Sequence, residues 1–295
     1  MVDQQQQLEQ PIVTSATGEA ASDKVRQQQT PESTQRMLST LDAAEAGLAA
    51  LELDHPEGVK TEPLRRTKLA VSVVIPVYNE LQTIRQIAER VRATGYVTEV
   101  LIVDDCSTDG TRDELLELEK LEGVRVFMHG YNKGKGAAIH TALAHITGDV
   151  VLVQDADLEY NPTDYGRLLA PIEAGEADVV YGSRYLGDAK QDPSWLHRLG
   201  NAAITRLSNL ATGLRLTDME SGYKVFRRAA IREMVLREKR FGFEPELTAK
   251  LARRKCRICE VPISYNYRGY DAGKKIQFRD AVRALYCIPR YRWWD

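Results

Sequence analysis

Asp155-Ala156-Asp157 closes the apolar run Val150-Val151-Leu152-Val153, so two carboxylates of like orientation stand at the end of a buried strand. Carboxylates so placed suit a hard cation, Mg²⁺ or Mn²⁺, that also takes oxygens from a phosphorylated substrate. The same triplet fits an aspartate-capped turn into a helix, and its surroundings have to decide. Three further segments carry comparable chemistry. Tyr78-Asn79-Glu80 follows the run 71–77, Asp104-Asp105-Cys106-Ser107 follows 100–103, and Gly182-Ser183-Arg184 follows 178–181.

Within these segments, Asp105 is of a type to accept hydrogen bonds from a nucleobase or ribose, and Asp109 to cap the next helix. Arg184 suits a two-point grip on phosphate and, as a lone residue, equally suits the surface. Asn132-Lys133-Gly134-Lys135-Gly136 precedes a helical stretch but lacks the Gly-Lys-Ser/Thr ending of an ATP-binding loop. Its glycines read as a close helix entry, with a lysine near substrate as the second option.

Positioning these groups falls to a regular alternation. Residues 71–77, 100–103, 124–128, 150–153 and 178–181 read as strands; 81–91, 113–121, 136–146 and 165–173 read as helices. Near-continuous apolar strands with short connections predict an α/β fold with a mostly parallel central sheet flanked by helices. Ligands of such sheets bind at the carboxyl ends of the strands, where all these polar segments converge.

The 295 residues carry a net charge of −2, which argues against nucleic acid as a partner, although Lys and Arg gather between residues 227 and 275. Cys106, Cys256, Cys259 and Cys287 suggest a reducing compartment and no disulfide framework. Cys256 and Cys259 form a single CxxC without a second ligand pair, so packing is expected there and not zinc. No apolar run approaches the roughly 20 residues of a membrane-spanning helix.

Residues 1–67, rich in Gln, Ser, Thr and Glu, are expected to be a disordered tail, with a short amphipathic helix at 37–53. At 276–295, aromatic and aliphatic residues mix with arginines. That pattern fits a helix lying in a membrane interface as well as one packed on the domain.

Taken in order, Val73-Val74-Ile75-Pro76-Val77-Tyr78-Asn79-Glu80, Val103-Asp104-Asp105-Cys106-Ser107-Thr108-Asp109-Gly110-Thr111, Asp155-Ala156-Asp157-Leu158-Glu159, Gly182-Ser183-Arg184 and Thr217-Asp218-Met219-Glu220-Ser221-Gly222-Tyr223-Lys224 resemble glycosyltransferase family 2 over residues 70–280. The likeness is to the dolichol-phosphate mannose synthase type, with the polyprenyl-phosphate glycosyltransferases. It implies a GT-A fold in a catalytic domain at 68–275. It also implies metal-dependent, inverting transfer of a hexosyl group from a nucleotide sugar, GDP-mannose or a UDP-sugar, to a polyprenyl or dolichyl phosphate.

By the same resemblance, Pro76, Tyr78, Glu80, Val103 and Asp105 hold the nucleoside, while Asp155, Ala156, Asp157 and Glu159 face metal and diphosphate. Glu159 stands where a glutamine is usual. Arg184 and Arg198 match phosphate-holding arginines; Arg268 and Lys274 match a basic loop that closes over the donor, with Gly273 in place of the usual serine. Asp157, Arg184, Asp218 and Arg268 form the implied catalytic set. A lipid phosphate needs no general base, whereas a hydroxyl acceptor would require one such as Asp218 or Glu244.

The implied place is cytoplasmic, at the inner face of a membrane, against a lipid or a membrane-protein partner. Alternative expectations are transfer to a soluble or cell-wall glycan and a nucleotide-sugar-binding scaffold module. No Ser-His-Asp or Cys-His order supports covalent hydrolysis.

Overall fold

The computed structural model describes residues 69–186, 195–267 and 278–294. The expected tail, its helix at 37–53, and Arg268 and Lys274 lie outside the described residues.

The elements run β1 (Val71–Val77), α1 (Ile84–Ala93), β2 (Glu99–Asp104), α2 (Thr111–Leu118), β3 (Val124–Met128), α3 (Lys135–Leu143) and β4 (Val150–Val153). After a single 3₁₀ turn (Pro162–Asp164) come α4 (Tyr165–Glu173), β5 (Val179–Ser183), α5 (Trp195–Thr212), β6 (Lys224–Arg227), α6 (Arg228–Ile231), α7 (Phe243–Arg253), β7 (Ile258–Pro262) and α8 (Phe278–Trp293). The strands form one sheet in the order β3-β2-β1-β4-β6-β5-β7.

The expected parallel pairings β1 with β2, β1 with β4 and β2 with β3 are present. The sheet is mixed because β6 runs antiparallel between β4 and β5. Strand order reverses between β1 and β4, which opens a crevice at their carboxyl ends.

β1 lies inside the sheet, between β2 and β4, because its β-branched run is apolar on both faces. Val73 and Ile75 enter one core with Ile84, Leu115 and Leu168, whereas Val74 enters the other with Leu101, Ile139 and Leu247. α1 buries Ile84, Ile87, Ala88 and Val91, one face of a 3.6-residue period. Each isoleucine or valine so buried contributes roughly 1.5–3 kcal/mol. α1 starts at Ile84 and not at 81 because the Thr83 and Ile84 amides both donate to the Glu80 carbonyl in a preceding turn.

α8 has two apolar faces. Ala284, Cys287, Ile288 and Tyr291 are buried, while Val282, Leu285, Tyr286 and Trp293 stand exposed about half a turn away. Cys259 lies in β7 and Cys256 just before it, and all four cysteines are free thiols.

Candidate functional site

The carboxyl ends of β1, β2 and β4 lie side by side, with Val77 opposite Asp104 and Val74 opposite Val153. Each strand leaves the sheet through a non-glycine residue in the left-handed region: Asn79 (φ 53°), Cys106 (φ 68°) and Leu158 (φ 62°). Such residues cost on the order of 1–2 kcal/mol each, and the surrounding bonds hold them there. The Asn79 amide donates to Ser107 Oγ (2.9 Å), and Asn79 Oδ1 accepts from the Thr108 amide (2.8 Å), stitching two loops together.

The second-strand acids build the wall of the crevice. Asp104 accepts from the Cys106 and Ser107 amides and from Arg112 Nε at 2.7 Å. Asp105, expected on the nucleoside, is 3% exposed and has both oxygens committed. Oδ1 takes His129 Nδ1 and the Lys133 amide at 2.8 Å each, and Oδ2 takes the Gly134 amide at 2.6 Å. Its visible work is to fix the 129–134 loop, a role hidden in the sequence because every partner is distant along the chain.

Asp109 binds the Thr111 amide (3.0 Å) and the Leu81 amide (3.2 Å), but the cap position of α2 is Gly110. Tyr78 and Glu80 stand half-buried at the rim with Pro76. Val103 is enclosed in the core, which leaves only its backbone to meet a ligand.

The acidic triplet turns out to be unequal. Asp155 Oδ1 pairs with Lys135 Nζ at 2.8 Å, and the same ammonium lies 3.5 Å from Glu244 Oε1. Gly222 makes this arrangement fit, since a Cβ there would stand 2.3 Å from Asp155 Oδ2. Ala156 packs into the core. Asp157 is pushed up to about 7 by burial first and then by the negative charges of Asp155 and Glu159. Glu159 Oε2 accepts from the Tyr265 hydroxyl at 2.9 Å.

The expected metal set of Asp155, Asp157 and Glu159 is therefore divided among other partners. Among the described residues, no three such groups stand together as a chelate. The donor chemistry still fits a hard dication, because the charges of Asp155 and Glu159 crowd Asp157 and phosphate oxygens would complete the coordination.

Lys135 owes its position to the glycines around it. A Cβ on Gly134 would lie 2.4 Å from the Lys239 carbonyl, and one on Gly136 would lie 2.3 Å from that of Glu238. α3 thus begins hard against 238–240, and the Ala137 amide donates to Lys239 O at 3.0 Å. With that amide spent, the loop is a close helix entry, and it also delivers a lysine to the site.

Across the crevice, Arg184 and Asp218 form a two-point ion pair, Nε to Oδ2 at 2.7 Å and Nη2 to Oδ1 at 2.9 Å. Asn201 Nδ2 adds a contact to Asp218 Oδ1 at 3.2 Å, and Asp218 is fully buried. A carboxylate so occupied is a poor general base; it positions Arg184, whose guanidinium lies 5.2 Å over the Tyr265 ring. Glu260 holds the Thr217 and Asp218 amides from below at 2.7 and 3.0 Å.

Beside this pair opens a cavity of about 450 Å³ lined by Tyr185, Arg198, Asn201, Arg206 and Thr217. Arg206 and Asn201 were not singled out in the sequence, although Arg198, Ala202 and Arg206 recur at every fourth position of α5. Behind the site, Glu220 Oε1 and Glu244 Oε2 are enclosed without hydrogen-bond partners among the described residues. Burial and the charge of Glu244 push the Glu220 carboxyl up to about 8, and burial depresses the Lys224 ammonium.

Residues 72–235 match the family described as glycosyl transferase family 2. A curated relative, glycosyltransferase AglJ of Haloferax volcanii, is 34% identical over 197 residues, 66% of this chain and 63% of the relative. The chain therefore spans less than two thirds of that relative's length. Among solved structures, glucosyl-3-phosphoglycerate synthase of Mycobacterium tuberculosis with Mn²⁺, UDP and phosphoglyceric acid is 24% identical, with a TM-score of 0.56 over 69% of this chain and 73% of that one. Mannosyl-3-phosphoglycerate synthase of Rubrobacter xylanophilus is 23% identical, with a TM-score of 0.58 over 76% and 72%. These likenesses bear on the fold, which is GT-A-like, as the sequence led us to expect.

Proposed function

Because the chain belongs to glycosyl transferase family 2, we propose that it is an inverting hexosyltransferase, with a nucleoside diphosphate sugar as donor and a polyprenyl phosphate as acceptor. The observation that carries the reading is the opposition, on one rim, of the charge-crowded carboxylates around Asp157 and the buried Arg184–Asp218 pair. A bound Mg²⁺ or Mn²⁺ would neutralise the departing diphosphate. The chain's own share is electrostatic: Asp157 and Asp155 present oxygen donors to the cation, and Arg184 keeps a fixed positive charge in the half-buried crevice. Tyr78, Glu80 and the wall fixed by Asp105 are the nucleoside side of this reading, with Arg268 and Lys274 as donor-closing residues.

For the acceptor, Arg198 and Arg206 supply positive charge to the cavity beside Arg184. An anionic phosphate is already a nucleophile, consistent with Asp218 being engaged by Arg184. The exposed stripe of Val282, Leu285, Tyr286 and Trp293 on α8, with Arg290 and Arg292 beside it, suits a membrane interface. In this reading the protein acts at the inner face of a membrane, bound peripherally or through a membrane-protein partner. Among the described residues, no helix is long and apolar enough to cross one.

A second reading, transfer to a small soluble phosphorylated acid, is favoured by the cavity's modest volume of about 450 Å³. Incubating the chain with radiolabelled GDP-mannose, UDP-glucose or UDP-N-acetylglucosamine, with and without Mn²⁺, against polyprenyl phosphate and 3-phosphoglycerate separates the two. Organic-soluble product supports the first reading and water-soluble product the second. No transfer from any donor overturns both.

A further inference from the structure

Lys135 and Glu244 are charged groups beside Asp155 to which the proposed reaction gives no task. Glu244 is 4% exposed, and its Oε2 is enclosed with no hydrogen-bond partner among the described residues. A buried carboxylate left short of donors is costly unless a second arrangement satisfies it. Lys135 Nζ stands between the two acids, 2.8 Å from Asp155 Oδ1 and 3.5 Å from Glu244 Oε1.

Both lie at the starts of rigid helices. Lys135 is the first residue of α3 and Glu244 the second of α7, and the segment 238–240, just before α7, clamps α3 through Gly134 and Gly136. The ammonium sits on a flexible four-carbon stem, so moving between the two acids needs only side-chain rotation.

We propose that the Lys135 ammonium keeps the cation's place at Asp155 and passes to Glu244 when a divalent ion enters. The inference rests on Asp155 being a ligand of that ion. In the resting arrangement the lysine offsets part of the charge of Asp155, Asp157 and Glu159, so the acids can stand together without metal. When the dication arrives, a second positive charge 2.8 Å from Asp155 would repel it, and Glu244 offers that charge a buried partner. Affinity for the ion then depends on the difference between two ion pairs, one broken and one completed.

The test is Mn²⁺ titration of the full chain, read by the paramagnetic resonance signal of free Mn²⁺, with UDP and GDP in separate runs. Lys135→Met should tighten Mn²⁺ about tenfold, since nothing has to leave Asp155, and Glu244→Gln should weaken it by a similar factor. In the Lys135→Met background, Glu244→Gln should change the affinity by less than it does alone. Opposite signs distinguish this from a merely structural role, in which both variants would weaken binding. Equal Mn²⁺ affinity for the wild type and Glu244→Gln overturns the hand-over, even if Lys135→Met fails to fold. A wild-type chain that binds no Mn²⁺ with either nucleotide overturns the metal reading itself, and Asp157→Asn is the control that should lose the ion.

Discussion

Arg184 and Asp218 face each other through two hydrogen bonds of 2.7 and 2.9 Å, with the carboxylate fully buried and the arginine amide adding a third contact at 3.1 Å. Breaking a buried pair by removing one partner costs about 3–5 kcal/mol, because the remaining charge is stranded. Asp218→Ala should therefore lower the melting temperature by on the order of 10 °C. Arg184→Gln in the same chain should lose less than the two single losses combined. Calorimetry of the four chains checks this, and strictly additive losses would show that the pair does not act as a unit.

Gly222 lies where any side chain would strike Asp155, its Cβ position 2.3 Å from Oδ2 and 3.0 Å from the Tyr160 ring. Gly222→Ala should displace Asp155 and lower transfer at least tenfold, the scale of misplacing a reacting group by about 1 Å. Initial-rate measurements read the effect, and a parental rate would show that Asp155 tolerates displacement.

Burial first, and then the charge of Glu244, push the Glu220 carboxyl of the folded chain up to about 8 from an ordinary 4.5. Between those limits the folded chain keeps a proton that the unfolded chain has released. This group's contribution to stability is therefore full below about pH 4.5, falls as pH rises through that window, and is gone above about pH 8. Glu220→Gln removes the slope and should be the more stable chain in alkaline buffer. Urea midpoints at about pH 5, 7 and 9 decide, and parallel profiles for the two chains would refute the assignment.

On α8, replacing Tyr286 and Trp293 with serine leaves the buried stripe of Ala284, Cys287, Ile288 and Tyr291 untouched. The double variant should bind vesicles of anionic phospholipid at least tenfold more weakly, with no loss of melting temperature. Unchanged co-sedimentation would remove α8 from any membrane role.

The first half of the domain was legible because β1, β2 and β4 are compact apolar runs and α1 buries one face of a clear helical period. β6 escaped because Lys224–Arg227 is short and mixed in character, and only its place between β4 and β5 makes it a strand. The site divides similarly. Asp155, Asp157 and Arg184 stand at strand ends, which a sequence displays. The Lys135–Asp155 pair, the Asn201 contact and the internal duties of Asp105 depend on partners that folding brings together across 17 to 29 residues. Periodicity carries no information about those partners.

The left-handed residues Asn79, Cys106 and Leu158 at three neighbouring strand ends have a consequence for how this protein could be improved. They mark the places where the chain sacrifices comfort for shape, one of them between Asp157 and Glu159. Leu158→Gly would relieve the backbone there, yet it would also free the carboxylates from a fixed presentation. Robustness and turnover should then move in opposite directions, the usual bargain between stability and activity. A library selected for heat tolerance alone would drift toward glycine at 158 and away from catalysis, whereas Asn79 would be kept for its bond to the Thr108 amide.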